Sequence, residues 1–329
     1  MKWMTDLEIK PLAMPIDHSH HILMMGSCFT EHIGKELKNL KFNVLENPNG
    51  ILFEAKSVCR SLNFYIQNKR YEVADLFELN ELYHSWEHHS RFSHPNMQAC
   101  LAKINASQEQ ASDYVKKADW LIITLGSSFA YRLLEPRRDV ANCHKAPQKW
   151  FEKHLVPIDE QIALLDNTMH QLFHANSKLK IIFTISPVRH LRDGVVDNNR
   201  SKARLLETVH HLVEKFDRIF YFPAYELVVD VLRDYRFYDI DLAHPNYAAT
   251  QFVLEKFSEF AFSNQTQALN EELKQLYVAM QHRPFHPTSQ QHQRFLNAQL
   301  AKARELKQRH PNLDLNDVLD YFDQQSAHN

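Results

Sequence analysis

The residues best suited to chemistry are a serine near the N-terminus and a histidine–aspartate pair far along the chain. Ser27 follows a glycine at the end of an apolar run, where we expect its hydroxyl to be exposed and its N–H to lie at the positive end of the following helix. Asp241 lies three residues before His244, so its carboxylate can reach Nδ1 and leave Nε2 free. A serine, a base and an orienting carboxylate together perform acyl transfer. Helix or loop capping is the alternative for each group.

The elements that would position these groups alternate between strands and helices. The alternation predicts an α/β protein made of parallel βαβ units with right-handed crossovers. The simplest arrangement is a flavodoxin-like sheet of five parallel strands in the order 2-1-3-4-5. The predicted strands are residues 22–25, 42–46, 120–125, 180–185 and 219–222, and the helices are residues 31–40, 54–67, 97–117, 155–176, 200–216, 224–234 and 247–260.

Glycine is scarce, with five in 329 residues, and three of them end strand patterns. These are Gly26, Gly50 and Gly126. A backbone needs glycine where it turns sharply or approaches a ligand closely. The placement predicts one shared site at the carboxyl ends of several strands.

Two segments stand apart from this alternation. Residues 71–96 lose periodicity and are rich in aromatic residues and histidine, so we predict an insertion over the sheet edge rather than a sheet element. Residues 263–329 read as polar, amphipathic helices without a strand. We therefore predict a main domain at 1–262 and a C-terminal helical extension at 263–329, the latter packed on the main domain or forming a homo-oligomer contact.

Composition narrows the class of protein. The net charge of -2 gives no field that favours nucleic acid, and no apolar run is long enough to span a bilayer. There is no apolar leader, and four scattered cysteines indicate free thiols in a reducing compartment, so we expect a cytoplasmic protein. Neither a Walker A loop nor G-x-G-x-x-G occurs, and we expect no cofactor and no metal.

Residues 26–30, Gly-Ser-Cys-Phe-Thr, resemble the signature of the GSCFA family, a branch of the SGNH (GDSL-like) hydrolase superfamily. The resemblance covers roughly residues 8–260, and its many blocks in the right order make it specific. The further matching blocks are residues 47–51, Trp86, residues 88–93, 141–145, 186–190 and 234–238, Asp241 and His244–Pro245.

The resemblance implies a three-layer α/β/α flavodoxin-like fold and a Ser-His-Asp hydrolase with Ser27 as nucleophile, His244 as base and Asp241 as its orienting group. It also implies an oxyanion hole made by the Ser27 N–H, the Gly50 N–H and an asparagine side chain. The asparagine block departs from the family pattern, since residues 126–129 read Gly-Ser-Ser-Phe. The Ser128 hydroxyl or the Asn142 amide would have to take its place, and one such donor is worth about 100- to 1,000-fold in rate.

Other residues are candidates for substrate binding. Arg189 and His190 end a strand on the ligand side, where arginine suits a carboxylate or phosphate, although Arg189 can equally pair with Asp193 or Asp197. Trp86 would stack on a sugar ring or belong to the core. His88 and His89 would bind substrate, close the site or pack, and at most one of them faces a shared site. His144 is a further substrate-binding candidate and a rival base.

Three functions fit these residues. The first is a serine esterase or acyltransferase acting on a small-molecule or glycan ester. The second is a ligand-binding domain that keeps the fold without a working oxyanion hole. The third is a metal-dependent hydrolase built around His88 and His89, for which the chain lacks the ligand spacing of an H-E-x-x-H motif.

Overall fold

Three apolar stretches form the centre of a parallel sheet in the computed structural model of the protein, which describes residues 4–327. Helices cover both faces of these strands, and for that reason their sequences are continuously apolar rather than alternating. The strand order is β10-β9-β5-β1-β2, which confirms the predicted order 2-1-3-4-5. The strands are β1 (His21–Gly26), β2 (Asn43–Glu46), β5 (Trp120–Leu125), β9 (Lys180–Ile185) and β10 (Ile219–Phe222).

The crossover helices supply the apolar layers. Leu23 and Met25 of β1 point into a cluster shared with helices α2 to α5, while Ile22 and Met24 are buried on the other face. These helices bring apolar residues to the sheet at helical spacing, as predicted. Their bounds are α1 (Cys28–Asn39), α2 (Ala55–Gln67), α3 (Met97–Lys117), α4 (Ile158–Ala175), α5 (Val195–Lys215), α6 (Ala224–Glu226) with a π-helical turn (Leu227–Leu232), and α7 (Tyr247–Ala261).

Two small antiparallel sheets differ from the prediction. The insertion at 71–96 contains the hairpin β3 (Leu76–Leu79) and β4 (Leu82–Ser85), so the interpretation that it holds no sheet element is wrong. A second sheet follows β5, in the order β7-β6-β8. Its strands are β6 (Phe129–Leu133), β7 (Asp139–Val140) and β8 (Phe151–Leu155), and the last of these ends where the sequence predicted a helix to begin.

The chain divides into two units by its contacts. Of the described residues, one unit comprises 4–10, 21–34 and 44–257, and the other comprises 11–20, 35–43 and 258–327. The second unit has an apolar cluster of its own, with Leu273, Leu300 and Phe322 among its buried members. No helix within residues 4–327 has both the length and the apolar character to cross a membrane. The C-terminal helices of the second unit are α8 (Asn264–Gln281), α9 (Gln290–Arg309) and α10 (Asn316–Ala327).

Candidate active site

A tight turn between β10 and α7 holds Asp241 and His244 together. Nδ1 of His244 lies 2.5 Å from Oδ2 of Asp241, and Oδ1 accepts the backbone N–H groups of Ala243 and His244 at 3.0 Å. These hydrogen bonds, led by the two backbone donors, lower the pKa of Asp241 to about 2. The carboxylate therefore stays ionised at neutral pH and fixes the imidazole with Nε2 directed away from it.

The turn adjoins the sheet and is strained. Leu242, between the pair, has a φ of +56°, a left-handed conformation that is uncommon for a bulky residue. Such strain costs on the order of 1 kcal/mol and concentrates at functional sites. The backbone N–H of Arg189, which follows β9, donates to Ala243 O at 3.1 Å. This bond places the turn beside the carboxyl end of β9.

Ser27 lies where β1 becomes α1, and only glycine can precede it there. Gly26 has a φ of +140°, and a Cβ at this position would come 2.2 Å from Thr124 O. Ser27 is 6% exposed and its Oγ is buried where β1 meets α1, so the prediction of an exposed hydroxyl is wrong. The Oγ finds no hydrogen-bond partner among residues 4–327. The hydrogen bond between Ser27 Oγ and His244 Nε2 is therefore not formed in this structure. A buried hydroxyl without a partner is costly and rare, which marks Ser27 as a special position.

Most of the predicted oxyanion donors have other partners. The N–H of Ser27 donates to Thr124 O at 3.1 Å, and the N–H of Gly50 donates to Asn47 O at 2.7 Å. The Ser128 hydroxyl has Ser201 O at 2.9 Å and Gln161 Oε1 at 3.2 Å as acceptors for its single hydrogen, so it is used in packing against α4 and α5. Asn142 is half-buried; its Oδ1 accepts the His144 N–H, while Nδ2 has no partner in the part of the chain that is described. Among the four predicted oxyanion donors, Asn142 is therefore the one whose donor group has no other partner in the described residues.

The insertion packs against the turn that carries Gly50. Gly50 has a φ of +82°, and a Cβ there would lie 2.2 Å from Cβ of His89, whose N–H donates to Asn49 O at 2.8 Å. Trp86 O accepts the N–H groups of Ala141 and Asn142. The insertion therefore fixes two of the loops from which oxyanion donors were predicted.

The other side chains of the insertion are used in packing. The indole of Trp86 is half-buried and stacks on Phe77 with the ring centroids 3.6 Å apart, so one of its faces is occupied by packing. His88 is buried, with Nδ1 3.0 Å from Ser85 Oγ, and burial lowers its pKa to about 3. His144 binds Ser85 O through Nε2, and burial lowers its pKa to about 4. Both imidazoles are neutral at physiological pH.

Arg189 and His190 lie in the loop that follows β9 rather than at the end of the strand itself, and Arg189 forms neither of the ion pairs considered for it. Asp193 binds Lys153 and Asp197 binds Arg200, so the interpretation that Arg189 pairs with either carboxylate is wrong. Within residues 4–327 the Arg189 guanidinium has no hydrogen bond or ion pair. The His190 ring lies 5.6 Å from the Phe53 ring, and burial lowers its pKa to about 4.

A comparison with known families bears on these residues. A model described as the GSCFA family matches residues 21–257, which include every site residue named above. The chain belongs to the GSCFA family. A second model, the C-terminal domain of GSCFA domain proteins, matches residues 273–328. No curated protein matches the chain.

The GSCFA chain shows no cluster of three or more His, Cys, Asp or Glu side chains suited to a metal within residues 4–327. His88 and His89, the centre of the metal hypothesis, have other contacts. His88 Nδ1 is engaged by Ser85, and His89 Nδ1 accepts the N–H of Arg91 at 3.3 Å. These contacts engage one ring nitrogen of each of the two adjacent imidazoles.

Lys202 is the site residue that sequence reasoning missed. It is 1% exposed on α5, and its Nζ donates to Gly126 O and Ser186 O, both at 2.6 Å. These carbonyls directly follow β5 and β9, so one ammonium group ties together two loops of the GSCFA site. Its position three residues before the buried Leu205 was a usable signal, because it puts a cation on the apolar face of a helix.

Lys202 should make the stability of the GSCFA protein rise with pH. Burial, and then the charge of Arg189, lower its pKa from the ordinary 10.5 to about 7. Between these values the unfolded chain binds a proton that the folded chain does not, so the free energy of unfolding increases by at most about 1.4 kcal/mol per pH unit. The free energy of unfolding of Lys202→Met, measured with urea at pH values from 6.5 to 9.5, should lack this increase.

A lysine on the same helix provides the control. Lys215 is exposed and pairs with Asp166, so Lys215→Met should keep the pH dependence of the wild type. Parallel curves of unfolding free energy against pH for the wild type and Lys202→Met would contradict the assignment.

Proposed function

We propose that this GSCFA protein is a serine hydrolase of the SGNH type that cleaves an ester with Ser27, His244 and Asp241. The observation that carries the proposal is the 2.5 Å contact between Asp241 and His244, in a strained turn beside the carboxyl end of β9. This edge of a parallel sheet is where ligands bind, and β1 delivers Ser27 to the same edge. The resemblance to SGNH hydrolases supports the same three residues.

Each residue has a defined task in this reaction. When the substrate binds, His244 Nε2 takes the proton of the Ser27 hydroxyl, and Oγ attacks the ester carbonyl to form a tetrahedral intermediate. The ionised Asp241 stabilises the imidazolium, which then gives its proton to the leaving alcohol. Water, or an acceptor hydroxyl in the case of acyl transfer, resolves the acyl-enzyme. Catalytic hydrogen bonds are often long without substrate and tighten in the complex.

The negative charge of the intermediate needs donors. Asn142 Nδ2 has no partner within residues 4–327, and α1 begins at Cys28, so its positive end follows Ser27 directly. The N–H groups of Ser27 and Gly50 would contribute only after release from Thr124 O and Asn47 O. Substrate binding would therefore have to complete the oxyanion hole.

A specific observation favours a second candidate, a binding domain without catalysis. Ser27 and Gly50 both donate their N–H groups within the backbone, and Ser27 Oγ makes no hydrogen bond to His244. A domain of this kind would be stabilised by its ligand and would hydrolyse no ester.

A cytoplasmic location and self-association through the C-terminal helices remain predictions. The structure has four free thiols, on Cys28, Cys59, Cys100 and Cys143.

Labelling of the full chain with a fluorophosphonate separates the two candidates. For a hydrolase we expect one covalent adduct per chain, located at Ser27 by peptide mass analysis, and turnover of short-chain esters. Prior denaturation should abolish the adduct, because the reactivity of Ser27 depends on the folded site. Absence of both adduct and turnover would leave the binding domain as the better description.

A further inference from the structure

Two cations lie at the carboxyl end of β9 without a carboxylate to balance them. The half-buried guanidinium of Arg189 has no ion pair or hydrogen bond in residues 4–327. The buried ammonium of Lys202 has only carbonyl partners, one of which is Ser186 O, three residues before Arg189. The charge of Arg189 lowers the pKa of Lys202, so the two cations repel each other. Cations removed from water are costly unless an anion compensates them.

The nearby acidic residues do not provide that anion. Asp193 binds Lys153, and Asp197 binds Arg200. Glu226, on α6, accepts the hydroxyl of Tyr221. Asp241 directs both of its oxygens into its own turn. Each of these four carboxylates thus has a partner other than Arg189, whose guanidinium forms no ion pair in the described residues.

Arg189, whose guanidinium is unpaired in the described residues, also contacts the turn that carries His244. The backbone of Arg189 bonds Ala243 O, next to His244. The Arg189 charge also acts to lower the pKa of Tyr225, although burial raises that pKa on balance. Arg189 is therefore fixed by its backbone beside the His244 turn, and its charge acts on Lys202 and Tyr225. An arginine presents two parallel donors to a carboxylate or phosphate.

We propose that Arg189 binds an anionic group, a carboxylate or a phosphate, on the ester that the protein cleaves. The identity of this ligand as the substrate rests on the function proposed above. The anion-binding site itself rests on the unpaired guanidinium and on the engagement of the neighbouring carboxylates. The site would select anionic esters over neutral esters of the same size.

Calorimetric titration of the full chain with succinate and with inorganic phosphate tests the site without any reaction. Arg189→Gln should weaken binding of at least one anion by about 10- to 100-fold, the range for a lost charged hydrogen bond, and Arg189→Lys should weaken it less. Arg192→Gln is the matched control, because Arg192 is an exposed arginine of the same loop. Equal binding by Arg189→Gln and the wild type, or no binding of either anion by the wild type, would overturn the proposal.

Two pairs of esters identify the part of the substrate that carries the anion. A hemisuccinate preferred over the butyrate of the same alcohol puts the charge on the acyl group, and acetyl glycerol phosphate preferred over glycerol monoacetate puts it on the alcohol. Arg189→Gln should remove the preference. If no ester is cleaved while Arg189 still governs anion binding, the hydrolase proposal fails and the anion site stands. If esters are cleaved but Arg189→Gln binds anions like the wild type, the anion-site proposal fails and the hydrolase proposal stands.

Discussion

Ser27→Ala is expected to abolish ester turnover and fluorophosphonate labelling together, with a loss in kcat on the order of 10⁴- to 10⁶-fold. Steady-state kinetics and intact mass measure the two losses. The variant should unfold at the same temperature as the wild type or higher, because it removes a buried hydroxyl that has no hydrogen bond. Lost activity at retained stability would separate the catalytic role of Ser27 from helix capping.

The adjacent Cys28 is the matched control. Its thiol is half-buried at the start of α1, and burial raises its pKa, so it is a poor nucleophile at neutral pH. Cys28→Ala should keep both labelling and turnover. An adduct that persists in Ser27→Ala would remove Ser27 from the mechanism.

His244→Ala and Asp241→Asn carry the second large effect. Removal of the base should cost on the order of 10⁴-fold or more in kcat, and Asp241→Asn somewhat less. Asn at 241 can still accept a backbone N–H through its amide oxygen, but it no longer holds the imidazole in the tautomer that leaves Nε2 as acceptor. Rates of turnover and of fluorophosphonate labelling should fall in parallel, since both require an activated Ser27.

An exposed histidine serves as the reference for these variants. His211 lies on the solvent side of α5, and His211→Ala should keep wild-type rates. If His244→Ala retained wild-type labelling, another base would have to be found, and the self-contained Asp241–His244 contact would be a loop cap only.

The central fold could be predicted because its signals are local. β1, β5 and β9 are buried on both faces, so the sequence of each strand is a continuous apolar run. The small antiparallel sheets were not predicted. Their strands are two to five residues long and partly exposed, so their patterns are too short to distinguish from loops.

In the site, too, local contacts could be predicted and contacts between distant segments could not. Asp241 and His244 are three residues apart, and one turn decides their contact, so the spacing was enough to predict it. The partners of Ser128 come from α4 and α5, and the ion pairs of Asp193 and Asp197 depend on where Lys153 and Arg200 lie. Such contacts follow from packing between distant segments, which a single sequence does not specify.

The hydrogen bonds of the Asp241 carboxylate all end on residues 243 and 244. In the described chain, one bond, from Arg189 N–H to Ala243 O, connects residues 239–246 with the loop after β9. The imidazole and its carboxylate thus form a preassembled unit that a single hydrogen bond joins to the loop after β9 in the described chain. A shift of this unit toward Ser27 would change the reach of the base without disturbing its orientation, so acyl groups of different bulk could be accommodated by one and the same pair.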